Sequence, residues 1–383
     1  MSRAGERMDP MPTTVRGARS VLVVGGGATE RSGITSHTRM LVGGLRELGL
    51  EVVERPWHRA GPRSLIGTSD AVRPRGEREG AAAGLVWSDP RTWVRVGREA
   101  RRHDLVVLVW VTPLQAPALG LVARFAGAER AVAMVHNGTP HERGPFDRSL
   151  TRLGLGRVGR VIVHATSIGE DLRRQGVRAE MTVVPFPPQA GLRPTPLPDG
   201  PLRLLLFGEA ARPYKGADVL LEAVAILHRR GIDLTLTVAG GTRRTEALVV
   251  TARRLGISDV VDVRPGWVPD DALQALFAAH HLIVLPYRSA TSSGIVPLAW
   301  AAGRPVVATA VGGLAGAVRH RVDGILCEPD DPVALADALL EAWDDRERLA
   351  RGIPSALPTW TEVAARVAGT AVPRTTTRRV AGP

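Results

Sequence analysis

The sequence predicts an α/β protein made of two doubly wound domains, each with a parallel sheet, that face a central cleft. Apolar runs of strand length alternate with helical patterns through most of the chain. A cluster of prolines near the middle divides this alternation into two series. The 383 residues, 44% of them hydrophobic, are enough for two hydrophobic cores. In this architecture ligands usually bind in the crevice between the domains.

The first series follows residues 1–19, which are polar and are predicted to form a disordered tail rather than a secretory signal. Val21–Val24 is an apolar run that ends in glycines, as a strand that enters a loop does. A helical pattern from about Thr35 to Leu48 ends at Gly49. The domain is predicted to span residues 20–190, with further strands near Val52, Leu105–Val111, Ala131–Val135 and Arg160–Val163.

The prolines from Pro187 to Pro201 predict a stiff linker at residues 191–201. The second domain is predicted at residues 202–355, followed by a helix within 356–369 and a disordered tail at 370–383. Its predicted strands are Leu202–Phe207, Leu234–Ala239, Val260–Val263, Leu282–Leu285 and Val306–Ala308, and its predicted helices are Ala217–Arg230, Thr245–Leu255, Asp270–Ala279 and Ile295–Ala302.

The composition argues against several classes of protein. One cysteine, Cys327, permits no internal disulfide and suits a reducing compartment. Few aromatic residues and no recognisable binding motif argue against nucleic acid as a partner. The most apolar window, Leu105–Ala123, contains Pro113 and Pro117, which favour strand, loop and helix over a membrane span. We therefore expect a cytoplasmic protein.

The positive charge is concentrated in the first half of the chain. Of the net charge of +12, residues 1–193 contribute 29 Arg against 18 acids, whereas residues 194–383 contribute 20 Arg and one Lys against 20 acids. A compositional bias that leaves arginines in solvent is one interpretation. The other is a first domain that faces anions, such as lipid head groups or an acidic acceptor, and it predicts peripheral binding at the inner face of the membrane.

A short segment after the strand Leu202–Phe207 is the strongest local signal. Glu209 is followed by Arg212, Lys215 and Gly216, and then by a helical pattern. A guanidinium and an ammonium beside a helix start are groups that bind a diphosphate. Lys215 is the only lysine in the chain. We predict that Arg212 and Lys215 contact phosphate; the alternative is a pair of solvated surface cations.

This segment and several later ones resemble glycosyltransferase family 4. The order and spacing of the family are kept from about residue 202 to 345. The resemblance implies the GT-B fold, in which two Rossmann-like domains face a cleft, the first on the acceptor side and the second binding a nucleotide-diphosphate sugar. It makes Glu209, Arg212, Lys215 and Gly240 donor-binding residues. The matching segments are Arg212–Gly216, Leu234–Gly240, Leu285–Tyr287, Gly303–Thr309, Val311–Leu314, Asp323-Gly324 and Pro329–Asp331.

The first domain resembles the family more loosely. Ser32-Gly33 followed by His37 is similar to the family's glycine loop and first helix, which implies that the Gly33 backbone approaches the donor phosphates. A simple strand-to-helix turn is the alternative. His136 takes the position of a histidine that lies near the transferred sugar in the family, with loop capping as its alternative role. The residues predicted to contact the acceptor are His37, His141 and Glu142.

The loop before the helix at Ile295 is implied to meet the donor through Ser292, Ser293 and Gly294. Two glutamates that the family commonly carries around this loop are replaced by Ala290 and Leu298. Two interpretations fit this departure. One is an active enzyme with a Ser-Gly form of the loop, and the other is a catalytically impaired sugar-nucleotide-binding protein.

The resemblance implies that a sugar passes, with retention of anomeric configuration, to a hydroxyl of a glycan, lipid-linked or small-molecule acceptor. His136, Arg212 and Lys215 are predicted to serve the reaction. We expect no cofactor and no metal, because the two cations supply the charge and no set of metal ligands stands out. A sugar-nucleotide epimerase or phosphorylase on the same fold is an alternative. A dehydrogenase is less favoured, because Gly25–Gly27 lacks the dinucleotide spacing.

Overall fold

The computed structural model describes residues 18–26, 33–59, 84–137, 146–189, 191–241 and 245–369. The predicted tail at 370–383, nearly all of that at 1–19, and the predicted acceptor residues His141 and Glu142 lie outside these ranges. Within the described ranges, no helix has the length and apolar character that a membrane span needs.

The first domain is built on six parallel strands: β1 (Ser20–Gly25), β2 (Glu51–Arg55), β5 (Leu105–Trp110), β6 (Ala131–Val135), β7 (Arg160–Val163) and β8 (Glu180–Val183). Their spatial order is β2-β1-β5-β6-β7-β8, and a short pair, β3 (Trp57–Arg59) and β4 (Leu85–Val86), lies apart. Every residue of β5 and β6 is buried, as expected for a parallel sheet covered on both faces.

Helices cover both faces of this sheet: α1 (Gly33–Glu47), α2 (Pro90–Ala100), α3 (Ala116–Ala126), α4 (Asp147–Leu155) and α5 (Thr166–Arg174). Successive residues of β1 point to opposite faces. Leu22 and Val24 join the core under α2, α3 and α5, whereas Val21 and Val23 join the core under α1. The alternation within one strand therefore serves two helical layers.

The second domain repeats the plan with β9 (Leu202–Phe207), β10 (Leu234–Ala239), β11 (Val261–Arg264), β12 (Leu282–Leu285), β13 (Val306–Thr309) and β14 (Gly324–Cys327), in the spatial order β11-β10-β9-β12-β13-β14. The neighbouring strands of this sheet pair in parallel. Its helices are α6 (Ala217–Arg229), α7 (Glu246–Leu255), α8 (Leu273–Ala278), α9 (Ile295–Ala301), α10 (Gly312–Ala317), α11 (Pro332–Asp344) and α12 (Arg346–Gly352). The predicted fold class of two doubly wound domains is confirmed.

The proline-rich segment between the sheets is fastened to the second domain by a buried arginine. The Arg304 side chain is fully buried, and its guanidinium donates to the carbonyl oxygens of Thr195 at 2.7 Å, Pro196 at 2.9 Å and Phe277 at 3.0 Å. Burial lowers the pKa of Arg304 to about 10, so the group remains charged at neutral pH. His281 adds a contact between its Nε2 and the Pro198 carbonyl at 2.6 Å. The linker is thus packed against the second domain and hydrogen-bonded to it.

The helix predicted within 356–369 is present as α13 (Trp360–Ala368), and it packs on the first domain. A Cβ on Gly44 of α1 would lie 2.5 Å from the Trp360 carbonyl oxygen, which shows how closely the two helices approach. Arg160 of β7 donates to the Val367 carbonyl at 2.9 Å, near the end of α13, where carbonyls lack helical partners. The chain therefore returns to its first domain after building the second.

Candidate functional site

A cavity of about 450 Å³ lies between the two domains. It opens where β6, β9 and β12 end, which is the usual place for ligands in a doubly wound fold. Most of the residues that line the cavity belong to the second domain, and a few belong to the first. The lining residues are Gly33, Ile34 and Asn137 from the first domain, and Glu209, Arg212, Tyr214, Lys215, Tyr287, Ala290, Thr291 and Ser292 from the second.

The two predicted phosphate-binding cations stand at either end of a tight turn. Arg212 precedes a 3₁₀ turn at Pro213–Lys215, and Gly216 then starts α6 with a left-handed φ of 64°. A Cβ at Gly216 would overlap the Pro286 carbonyl oxygen, so only glycine lets the turn lie against the segment after β12. This close approach places both cations on the cavity wall.

Lys215 rests on an aromatic side chain. Its ammonium lies 3.9 Å from the centre of the Tyr287 ring and 5.3 Å from that of Tyr214, which is the geometry of cation–π attraction. Within the described part of the chain, Lys215 takes part in no ion pair. Tyr287 is 1% exposed, so the ring is a fixed support. The positive charge of Lys215 is thus held in place by aromatic rings rather than by an ion pair with a described carboxylate.

Arg288 fastens this turn from outside the cavity. Its guanidinium donates to both oxygens of Asp218, at 2.8 and 2.9 Å, and to the Pro213 carbonyl at 2.7 Å, and it also pairs with Asp330. These partners raise the pKa of Arg288 and lower the pKa of Asp218. The Arg288 backbone N–H donates to the Tyr214 carbonyl at 2.8 Å. The turn is therefore held by two hydrogen bonds from Arg288, and Arg288 is itself anchored to α6 through Asp218.

The loop before α9 connects the two domains across the cavity. The Thr291 hydroxyl donates to the Asn137 side-chain oxygen at 2.8 Å. A Cβ on Gly294 would lie 3.3 Å from the His37 Nε2, so the first domain touches the loop here as well. The Ser293 hydroxyl accepts the Ile295 N–H at 3.3 Å, where α9 begins. This loop is the place where both domains could act on one ligand.

The two positions without glutamate differ in their surroundings. Ala290 lines the cavity, and its carbonyl accepts the Gly313 N–H at 3.2 Å. Leu298 is 1% exposed and belongs to the apolar core under β12 and β13. Of the described residues that line the cavity, Glu209 alone carries a carboxylate. Among the described residues, Glu209 is therefore the one that can offer a carboxylate to a ligand inside the cavity.

Three histidines stack behind the first-domain wall of the cavity. The His37 and His136 ring centres are 5.5 Å apart, and those of His136 and His164 are 5.4 Å apart, with Phe186 3.7 Å from His164. Burial lowers the pKa of His37 to about 3 and that of His164 to about 4, and it lowers the pKa of His136 well below its usual value. All three imidazoles are therefore neutral at pH 7.

The hydrogen bonds of these histidines define one tautomer. His164 Nδ1 lies 2.9 Å from the Val184 carbonyl, which can only accept, so Nδ1 carries the proton. Among the described residues, the Nε2 atoms of His37, His136 and His164 have no hydrogen-bond partner. His136 is 5% exposed, and its neighbour Asn137 is the residue that reaches the cavity.

The structure brings together part of the predicted set. Gly33, Glu209, Arg212, Lys215 and Ser292 all line the cavity. Ser293 and Gly294 continue that loop, Gly240 packs against the Gly208 backbone, and His37 and His136 lie behind the wall. Residue type and spacing did not single out Asn137, Tyr287 and Thr291, although Tyr287 lies in a segment that carries the family resemblance. In the described residues no group of His, Cys, Asp or Glu could hold a metal ion.

Comparison with known proteins identifies the second domain. Residues 201–345 match the family described as Glycosyl transferases group 1. A D-inositol 3-phosphate glycosyltransferase of Thermobispora bispora is 39% identical over 176 residues, covering 43% of this chain and 40% of the relative. One of the same name from Streptomyces coelicolor is 35% identical over 236 residues, covering 59% of this chain and 45% of the relative. The chain thus spans less than half the length of these relatives.

Solved structures match along nearly the whole chain. Sucrose-phosphate synthase from Thermosynechococcus elongatus has a TM-score of 0.67 at 18% identity, with 91% of this chain and 97% of that chain covered. Anabaena Alr3699/HepE, solved in complex with UDP, has a TM-score of 0.62 at 16% identity, with 91% and 95% covered. At these identities the likeness concerns the fold.

The two parallel-sheet domains and the cavity between them define a protein of the GT-B fold, as the sequence predicted. Its second domain carries the turn of Arg212 and Lys215, which the sequence predicts to contact phosphate. By its match over residues 201–345, that domain belongs to the Glycosyl transferases group 1 family, which confirms the family resemblance of the sequence.

Proposed function

We propose that the protein transfers a sugar from a nucleotide-diphosphate donor to an acceptor hydroxyl, with retention of anomeric configuration. The observation that carries this proposal is the placement of Arg212 and Lys215 together on the wall of the interdomain cavity. Gly33 lines the same cavity from the first domain, so a diphosphate held there would meet both domains. Structures of Anabaena HepE in complex with UDP and with UDP-glucose support a sugar nucleotide as the donor.

The reaction needs charge stabilisation at the leaving group. As the bond between the anomeric carbon and the phosphate oxygen breaks, negative charge grows on the diphosphate, where Lys215 supplies a fixed ammonium and Arg212 a guanidinium fork. Each such group can lower the barrier by roughly 3–4 kcal/mol. The acceptor oxygen attacks from the face that the diphosphate leaves, and its proton passes to the departing phosphate oxygen. No cofactor and no metal enter this scheme.

The sugar itself would lie toward the first domain. Asn137 lines the cavity and is oriented by Thr291, so its amide can bind a sugar hydroxyl. His136 keeps its predicted role as a neutral hydrogen-bonding group near the sugar, and His37 its predicted role near the acceptor. Both rings are about one-twentieth exposed, so these roles require that the bound ligand reach past Asn137 and Gly294.

The acceptor is proposed to be a lipid-linked or anionic glycan, or an inositol phosphate as the names of the relatives suggest. The excess of arginine in residues 1–193 supports an anionic acceptor, and it supports action in the cytoplasm against an anionic membrane surface. A catalytically impaired sugar-nucleotide-binding protein is the second candidate, because Ala290 and Leu298 supply no carboxylate.

Release of nucleoside diphosphate from UDP-, GDP-, ADP- and TDP-sugars, with a panel of acceptors, tests the proposal. Lys215→Ala and Arg212→Ala should each lower kcat by about 100-fold or more. Arg254→Ala, on the exposed surface of α7, is the matched control and should behave as the wild type.

Three outcomes would count against the proposal. Wild-type turnover of either cavity variant would remove that residue from the mechanism. Conversion of the donor sugar without any acceptor would indicate an epimerase. Calorimetric donor binding with neither transfer nor hydrolysis across all acceptors would favour the impaired protein.

A further inference from the structure

The first domain exposes an apolar strip at the side on which its strands end. Phe146, directly before α4, is 70% exposed, and Leu153 in α4 is 45% exposed. Because these two residues are seven positions apart, they lie on the same face of the helix. Leu114, in the turn before α3, is 44% exposed and lies in a segment that contacts α4. Three large apolar side chains are therefore presented to solvent from neighbouring elements.

The packing of α4 makes this strip protrude. A Cβ on Gly154 would lie 3.0 Å from the Ala116 Cβ, and one on Gly120 would lie 3.0 Å from the Leu153 carbonyl. The last turn of α4 thus packs on the first turns of α3. The two helices follow parallel strands and run in the same direction, so Phe146 extends about 10 Å beyond the start of α3 at 1.5 Å per residue. The strip projects on the same side as the cavity.

Arginines flank the strip on the side of α4 that faces α5. Arg148, Arg152 and Arg157 are exposed in or just after α4, and the Arg152 side chain leans toward Gly176 at the end of α5. From residue 146 to 178 the chain carries seven arginines, six of them exposed and Arg160 buried, against three acids. An apolar strip flanked by arginines matches a bilayer with anionic head groups better than it matches a neutral surface. We call this region the α4 surface: Leu114, Phe146, Arg148, Arg152, Leu153 and Arg157.

We propose that the α4 surface docks the protein on an anionic lipid bilayer, with Phe146 and Leu153 entering the interface and the arginines contacting lipid phosphates. Asn137 follows β6 and lines the cavity, and Phe146 lies directly before α4 on the same side of the sheet, so docking turns the cavity side of the first domain toward the lipid surface. The purpose of this docking rests on the proposed function, because a lipid-linked acceptor would then reach the cavity from the membrane. The binding itself does not depend on the donor.

Vesicle flotation with the full chain tests the docking. The probes are vesicles of phosphatidylcholine alone and of phosphatidylcholine mixed with phosphatidylglycerol. We expect binding to the anionic vesicles only, which weakens as salt is added because the head-group charge is screened. The double variant Phe146→Glu/Leu153→Glu should bind at least about tenfold more weakly. Val250→Glu, at a residue 61% exposed on α7 of the second domain, is the matched control and should bind as the wild type.

A second variant and a second readout keep the result interpretable. Arg148→Gln/Arg152→Gln changes only exposed side chains and should also weaken binding. If the double glutamate variant fails to fold, this variant tests the docking in its place. Donor hydrolysis without acceptor, measured on the same proteins in solution, should be unchanged. Absence of both donor hydrolysis and sugar transfer in the wild type, across all acceptors, would overturn the proposed transferase without affecting the docking.

Four results would overturn the docking: no flotation of the wild type at low salt, equal binding to both kinds of vesicle, unchanged binding of both double variants, or a wild-type dimer that the glutamate variant converts to a monomer. The last result would assign the α4 surface to a second copy of the chain.

Discussion

Gly216→Ala tests whether the turn of Arg212 and Lys215 depends on its close approach to the second sheet. An alanine at a φ of 64° costs about 1–2 kcal/mol, because its Cβ crowds its own backbone. In addition, that Cβ would lie about 1 Å closer to the Pro286 carbonyl oxygen than the 3.0 Å below which such contacts are essentially never seen. The turn that carries Lys215 must therefore move by about 1 Å. A misplacement of this size costs about 100-fold in rate.

Gly231→Ala separates these two effects. Gly231 has a similar φ of 76°, but a Cβ there would meet nothing within 4 Å. Urea unfolding should show a loss of about 1–2 kcal/mol for Gly231→Ala and a larger loss for Gly216→Ala. Only Gly216→Ala should lower kcat/KM for nucleoside diphosphate release, by about 100-fold. Equal stability of the two variants, together with wild-type kcat/KM for Gly216→Ala, would refute the reasoning.

Two further predictions concern the aromatic support and the buried histidines. Tyr287→Phe keeps the ring under Lys215 and removes a hydroxyl that has no partner among the described residues, so unfolding free energy and turnover should change little. Tyr287→Leu removes the ring and should lower kcat/KM about fivefold, because the cation–π attraction is lost. Activity of Tyr287→Leu equal to that of Tyr287→Phe would contradict this role. Burial lowers the pKa of His164 to about 4. Between pH 6.5 and pH 4 the unfolded chain therefore binds a proton at His164 that the folded chain does not bind. The unfolding free energy falls as the pH falls through this range. His164→Phe should reduce this slope by about 1.4 kcal/mol per pH unit in urea titrations, and parallel pH curves would contradict the assignment.

Local chemistry explains why part of the site was predictable. Arg212 and Lys215 are three residues apart and follow one strand, so the chain itself brings them together, and the structure keeps them on one turn. The identity of Tyr287 as the support of Lys215 was not predictable in this way. Tyr287 comes from a strand end seventy-two positions later in the sequence, and only the pairing of β9 with β12 places it under the ammonium.

His136 illustrates the opposite limit. Its position at the end of β6 could be inferred from the apolar run before it, but its burial could not. The ring is covered by His37, His164 and Phe186, which come from α1, from the end of β7 and from the segment after β8. The sequence likewise did not determine which domain the helix within 356–369 packs against, because an apolar face does not specify its partner.

The sequence by itself determined the alternation of strands and helices, the division into two sheets and the cationic turn, because these follow from periodicity and from neighbours along the chain. The tertiary structure decided which distant residues meet across the cavity, which histidines are buried, and that α13 packs on α1. The physical reason is that contacts between residues distant in the sequence depend on how the side chains of both domains pack together. A local sequence pattern does not specify that packing.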